Sequence, residues 1–93
     1  MESVNQTLTL DRGPGTVKPR VLPSARKHGL TDRSILHAIS IAFRVVRIEA
    51  DLVLFIGPDG NGQLLEVIVA DPDDDARIIH AMPLRRRFMH YLR

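Results

Sequence analysis

Four histidines (His28, His37, His80 and His90), three consecutive arginines (Arg85, Arg86 and Arg87) and Tyr91 are the side chains of this sequence with chemistry to offer. Histidine and tyrosine shuttle protons, and arginine clamps phosphate with two parallel hydrogen bonds. Such a set suits cleavage of RNA without a metal. The 2′-hydroxyl attacks its own phosphate, and the enzyme supplies a base, an acid and cations for the developing charge. The same residue types also make up an ordinary basic surface, so composition alone does not fix the function.

Other chemistries find less support. The chain has no cysteine, and no histidine spacing is a ligand signature, so no metal is expected. The run Asp71-Pro72-Asp73-Asp74-Asp75 lacks the glycine and distal glutamate of a calcium loop. Gly57, Gly60 and Gly62 lie between two apolar runs rather than ahead of a helix, so they read as a turn and not as a phosphate cradle. No cofactor motif is present.

The net charge of +2 conceals a division. Every charge from Glu49 to Asp75 is acidic, and every charge from Arg77 to Arg93 is basic. The basic end could meet phosphate or an acidic partner, or be a solvated face. At 93 residues the chain makes one small domain. Absence of cysteine suits a reducing cytoplasm, and no apolar run reaches the roughly 20 residues that span a bilayer.

These residues need a scaffold, and its centre is Leu52 to Ala70. Two apolar runs flank Asn61-Gly62, a strong hairpin signal. Leu64 to Ala70 is apolar on both faces apart from Glu66, which predicts a central strand covered on both sides. Before it, Gly13-Pro14-Gly15 breaks local structure, and residues 1–20 read as a flexible tail, with Thr7 to Leu10 as a weaker strand candidate. Pro23-Ser24 starts a short helix, with Ser24 as its cap and Gly29 ending it. Thr31 caps a second helix. Its apolar face is Ile35, Ala38, Ile39, Ala42 and Phe43, and His37 lies on the solvent side.

Arg44 to Glu49 and Arg77 to Met82 read as further strands. In the latter, Ile79 and Ala81 face one way, and Ile78, His80 and Met82 the other. Pro83 opens a terminal helix to Arg93. The expected fold class is α+β: two N-terminal helices, an antiparallel sheet of three or four strands, and a C-terminal helix, in a single domain over residues 21–93.

Lys27-His28-Gly29 before a helix, then Leu54-Phe55-Ile56-Gly57, Leu65-Glu66-Val67-Ile68-Val69, Arg77-Ile78-Ile79-His80-Ala81-Met82-Pro83 and an arginine-rich close ending in Tyr91 resemble the BrnT family of ribonuclease toxins. The likeness covers about Ser24 to Leu92. It implies a RelE-like fold, metal-independent RNA cleavage, growth arrest and neutralisation by a small DNA-binding antitoxin. By position, Lys27 and His28 match the family's Lys-His pair, and Arg85 to Arg87 and Tyr91 fall where its final helix carries arginine and an aromatic. The resemblance and the charge division together point to a site of His28, Arg85 and Arg86, with Tyr91 or His80 as the second proton-transfer group and Lys27 and Arg87 holding substrate. The chain departs from the family in its first strand, where Val21-Leu22-Pro23 stands, and in a last helix with no acidic residue.

Three readings stay open: a toxin ribonuclease, a non-catalytic interaction module of the same fold, and a nucleic-acid-binding regulator. RNA and an antitoxin are the expected partners. Self-association stays open, and no membrane partner is expected.

Overall fold

The computed structural model describes residues 19–93. The tail expected over residues 1–20 therefore lies outside the described residues, Thr7 to Leu10 included, except for Pro19 and Arg20.

The central hairpin forms as its turn chemistry demands. Strand β3 (Leu52–Pro58) pairs antiparallel with β4 (Leu64–Ala70), Phe55 opposite Val67. Between them the Asp59 carboxylate accepts hydrogen bonds from the backbone N–H groups of Asn61 (2.8 Å) and Gln63 (2.9 Å). Gly62 takes φ 88°, a left-handed conformation that glycine adopts without steric cost.

Outside the hairpin lie β2 (Arg44–Glu49), antiparallel to β3, and β5 (Arg77–Pro83), antiparallel to β4. A two-residue strand, β1 (Arg20–Val21), adds parallel to β5 and completes a mixed sheet in the order β1-β5-β4-β3-β2.

One face of the sheet is covered by helix α1 (Asp32–Ser40). The Thr31 hydroxyl accepts from the Ser34 N–H at 3.1 Å, as an N-cap does. Ile35 and Ala38 are fully buried against Val53, Phe55, Leu65, Val67, Val69 and Ile78. The helix can come this close because β3 carries a glycine beneath it. A Cβ on Gly57 would stand 2.2 Å from the Ala38 carbonyl oxygen. Gly57 is thus a packing residue within β3 and not part of the turn.

The expected arrangement of two N-terminal helices, an antiparallel sheet and a C-terminal helix is wrong. The sheet is mixed and five-stranded, and α1 is the single α-helix among the described residues. The first expected helix is one 3-10 turn, Pro23–Arg26, ended by Gly29 at φ 83°. Ser24 does not cap it. Its hydroxyl donates to the Ile79 carbonyl at 2.7 Å instead, and Leu22 takes the cap position.

The last expected helix is a 3-10 segment, Arg86–Leu92, and Pro83 closes β5 without opening it. Arg85 is held extended at φ −87°, ψ 152°, because both its backbone N–H and its side chain are bound to Glu66. That delays the helical turn to a stretch with no acidic residue at its start and no side-chain cap.

The alternation expected along β5 also breaks. The register shifts between Ile68 and Val69, which face His80 and Ile78, so Ile79 bulges out of the pairing. Ile78 thereby joins Ala81 in the core below α1.

Candidate functional site

Glu66 points away from α1, as its place between the core residues Leu65 and Val67 requires. It is fully buried. A lone carboxylate in an apolar strand is costly unless donors surround it. Here Oε1 accepts from the Arg85 backbone N–H at 2.9 Å, and Oε2 accepts from Arg85 Nε at 2.9 Å and Nη2 at 2.6 Å. The His80 ring also meets Oε2, through Nε2 at 2.9 Å. His80 of β5, diagonal to Glu66 across the sheet, and Arg85, just past the end of β5, thus converge on a single carboxylate of β4.

Burial alone would push the Glu66 carboxyl up. The Arg85 side chain, the Arg85 backbone N–H and the His80 ring outweigh it and hold the group below the ordinary carboxylate range. The carboxylate in turn raises the Arg85 guanidinium above its ordinary value. An ionised carboxylate only accepts hydrogen bonds, so His80 Nε2 carries the hydrogen. Nδ1 is then the His80 nitrogen left for chemistry.

His28 completes the group. It lies in the exposed turn between the 3-10 turn and α1, and its ring is 6.0 Å from that of His80, centroid to centroid, nearly perpendicular to it. The 3-10 turn packs along β5, with Ala25 buried in the core, and this delivers His28 to His80.

The expected site residues thus divide. His80 and Arg85 come together on Glu66, and His28 stands beside His80. Lys27 is exposed beside His28. Arg86 and Arg87 are exposed on the C-terminal segment, where the Arg87 guanidinium lies 5.0 Å from the centre of the Phe88 ring and that of Arg85 lies 5.3 Å from it. Tyr91 stacks on Phe88 at 6.2 Å and meets the His90 ring at 4.1 Å. Among the described residues, no hydrogen bond joins Lys27, Arg86, Arg87 or the Tyr91 hydroxyl to the Glu66 cluster.

Glu66 itself is the member that reasoning from residue types passed over. Its signal was present: one carboxylate interrupting a strand otherwise apolar on both faces requires a cationic partner across the sheet. His37, by contrast, is exposed as expected, with Nδ1 3.0 Å from the Pro58 carbonyl oxygen.

The acidic loop holds a different arrangement. Asp71 pairs with Arg77, Asp75 with Arg20 and Arg77, and Asp73 with Arg47. No three metal-ligating side chains converge among the described residues, and no helix among them is long and apolar enough to cross a membrane.

Compared with family models, with curated proteins and with solved structures, the chain finds no match.

Proposed function

We propose that this chain is a metal-independent endoribonuclease, the toxin of a toxin–antitoxin pair restrained by a small DNA-binding antitoxin. One observation carries the reading: two imidazoles 6.0 Å apart, one of them fixed by a buried carboxylate that also binds an arginine. The two segments that supply these imidazoles, Lys27-His28-Gly29 and Arg77 to Pro83, are also among those that resemble the toxin family.

In the proposed reaction His80 Nδ1 takes the proton of a 2′-hydroxyl. The 2′-oxygen attacks phosphorus, and the bond to the 5′-oxygen breaks as His28 protonates that leaving oxygen. The products are a 2′,3′-cyclic phosphate and a 5′-hydroxyl. Glu66 stabilises the imidazolium formed on His80, as a carboxylate does for a general-base histidine. Arg85 keeps Nη1 for a phosphate oxygen, and Arg86 adds a second cation.

A second reading, the non-catalytic interaction module, is favoured by a different fact. Arg85 already commits Nε and Nη2 to Glu66, which is how a purely structural ion pair is made.

Cleavage of total RNA in the presence of a chelator, with and without ribosomes, decides between them. The expected result is cleavage leaving cyclic phosphate ends, reduced about 10²-fold or more in His28→Ala and in His80→Ala. Folded wild-type protein that cuts nothing under either condition overturns the ribonuclease reading in favour of the module.

A further inference from the structure

The arginines fall into two populations. Arg20, Arg26, Arg47 and Arg77 each meet an aspartate, and Arg85 meets Glu66. Among the described residues no carboxylate pairs with Arg33, Arg44, Arg86, Arg87 or Arg93. All five are exposed; Arg33 stands on α1, whereas Arg86 and Arg87 lie on the C-terminal segment and Arg44 is hydrogen-bonded to it. Arg87 lies against the Phe88 ring, Phe88 stacks on Tyr91, and the Tyr91 and Leu92 carbonyls accept hydrogen bonds from Arg44 at 3.0 and 3.3 Å. The result is a connected row of uncompensated cations interleaved with two half-buried aromatic rings.

We propose that this row binds single-stranded RNA, with Arg86, Arg87 and Arg44 on successive phosphates and an unstacked base against Phe88 and Tyr91. The inference deepens the ribonuclease reading and takes the identity of the polymer from it. Single strands are favoured over duplex because their bases are free to stack on aromatic rings and guanidinium planes. A single strand also bends as in-line attack by its own 2′-oxygen requires. A seven-residue 3-10 segment rises roughly 14 Å, a length for a few nucleotides. Arg85 joins the row to the Glu66 cluster, which puts the bound strand beside His28 and His80.

The test uses the full chain and a short labelled 2′-O-methyl RNA, which lacks the nucleophile and is not cut. Binding is followed by fluorescence anisotropy at several salt concentrations. Arg86→Gln/Arg87→Gln, with both changes at exposed positions and folding confirmed by thermal melting, should bind at least tenfold more weakly. Each phosphate contact contributes about 0.7 to the slope of log affinity against log salt for single strands, so the slope should become shallower by about 1.4. His37→Ala, on the exposed side of α1, should bind as wild type does.

Equal binding by the double variant and wild type overturns the proposal. So does equal affinity for a duplex of the same sequence, or displacement of the strand by polyglutamate as effective as by unlabelled RNA, since either removes the role of the bases. Arginine-dependent binding by a protein that leaves cleavable RNA intact sinks the ribonuclease reading and keeps the surface. Cleavage by a protein whose binding ignores Arg86 and Arg87 does the reverse.

Discussion

The two faces of the sheet are buried by opposite means. Beneath α1 the contact is apolar throughout: Ile35 and Ala38 against Phe55, Val67 and their neighbours. On the other face Leu54 and Ile56 are as fully buried, but beside them lies Glu66. The cover there is a segment tied down by hydrogen bonds: Leu84 N–H to the Leu64 carbonyl, Arg85 to Glu66, and Arg44 to the Tyr91 and Leu92 carbonyls. Apolar burial is strong and non-directional. A buried ion pair adds little net stability, because desolvation offsets the attraction, but it tolerates only one arrangement of its partners. The helix face therefore holds the domain together, and the polar face fixes where His80 and Arg85 stand.

If that division is right, a charge on the helix face has the largest effect. Val67 is fully buried, between Phe55 and Ala81 on the neighbouring strands. Val67→Asp leaves a carboxylate there with no donor and should cost more than about 4 kcal/mol. That approaches the whole stability of a small domain, so the variant should be unfolded at 25 °C by circular dichroism. A cooperative melt like that of wild type would refute the apolar description of this face.

Arg85→Ala strikes the polar face. It leaves Glu66 buried with His80 as its remaining side-chain donor. Breaking a buried pair costs ~3–5 kcal/mol, and the lower end applies because Arg85 is 38% exposed, so solvent already screens its charge. The pH dependence should also reverse. In wild type the Glu66 carboxyl is lowered by folding, so its contribution is complete above the unfolded carboxylate range, about 4.3, and disappears as the pH falls through the lower folded value. Without Arg85, burial dominates and raises the folded carboxyl. Stability should then increase as the pH falls from neutrality toward about 4.3. Urea midpoints at a series of pH values measure this, and a variant that weakens on acidification as wild type does would show that Arg85 is not what holds Glu66 ionised.

Gly57→Ala tests how the two layers meet. The added methyl has no room against the Ala38 carbonyl, whose position α1 fixes, and overpacking of this kind costs typically 1–3 kcal/mol. Differential scanning calorimetry should show a lower Tm with cleavage unchanged once the protein is folded. An unchanged Tm would mean that α1 shifts freely over β3.

Gly57 also shows where sequence reasoning stops. The bounds of β4, the Asn61-Gly62 turn, the Thr31 cap and the burial of Val67 all follow from local rules of turn chemistry, capping and periodicity, and all are legible in the sequence. The features that were missed are tertiary. A glycine grouped with its turn neighbours gives no sign that a helix lies above it. Arg20–Val21 is too short for any periodicity and exists because Arg20 and Leu22 donate to the Ala76 and Ile78 carbonyls. Pro83 and the spacing of apolar residues predict a C-terminal helix, but the partner that keeps Arg85 extended sits on another strand. Residue types mark His28, His80 and Arg85 as site residues, but Glu66, which brings His80 and Arg85 together, stands in the sequence only as an exception in an apolar strand.

The smallest expected effect sharpens the comparison within one residue type. His37 and His80 both make a hydrogen bond near 3 Å through one ring nitrogen. His80 bonds a buried carboxylate and has the His28 ring beside it. His37 bonds the Pro58 carbonyl on the exposed side of α1, where water replaces a lost partner at little cost. His37→Ala should therefore lower stability by less than about 1 kcal/mol. It should leave RNA cleavage and strand binding at wild-type levels, whereas His80→Ala should reduce cleavage about 10²-fold or more and lower Tm further, since it takes a donor from buried Glu66. The informative measurement is the ratio of the two effects on cleavage at a temperature where both variants are folded. A ratio near one would mean that the carboxylate and second imidazole around His80 contribute nothing beyond what any histidine on this surface provides, and the polar face would then be a structural clasp rather than a site.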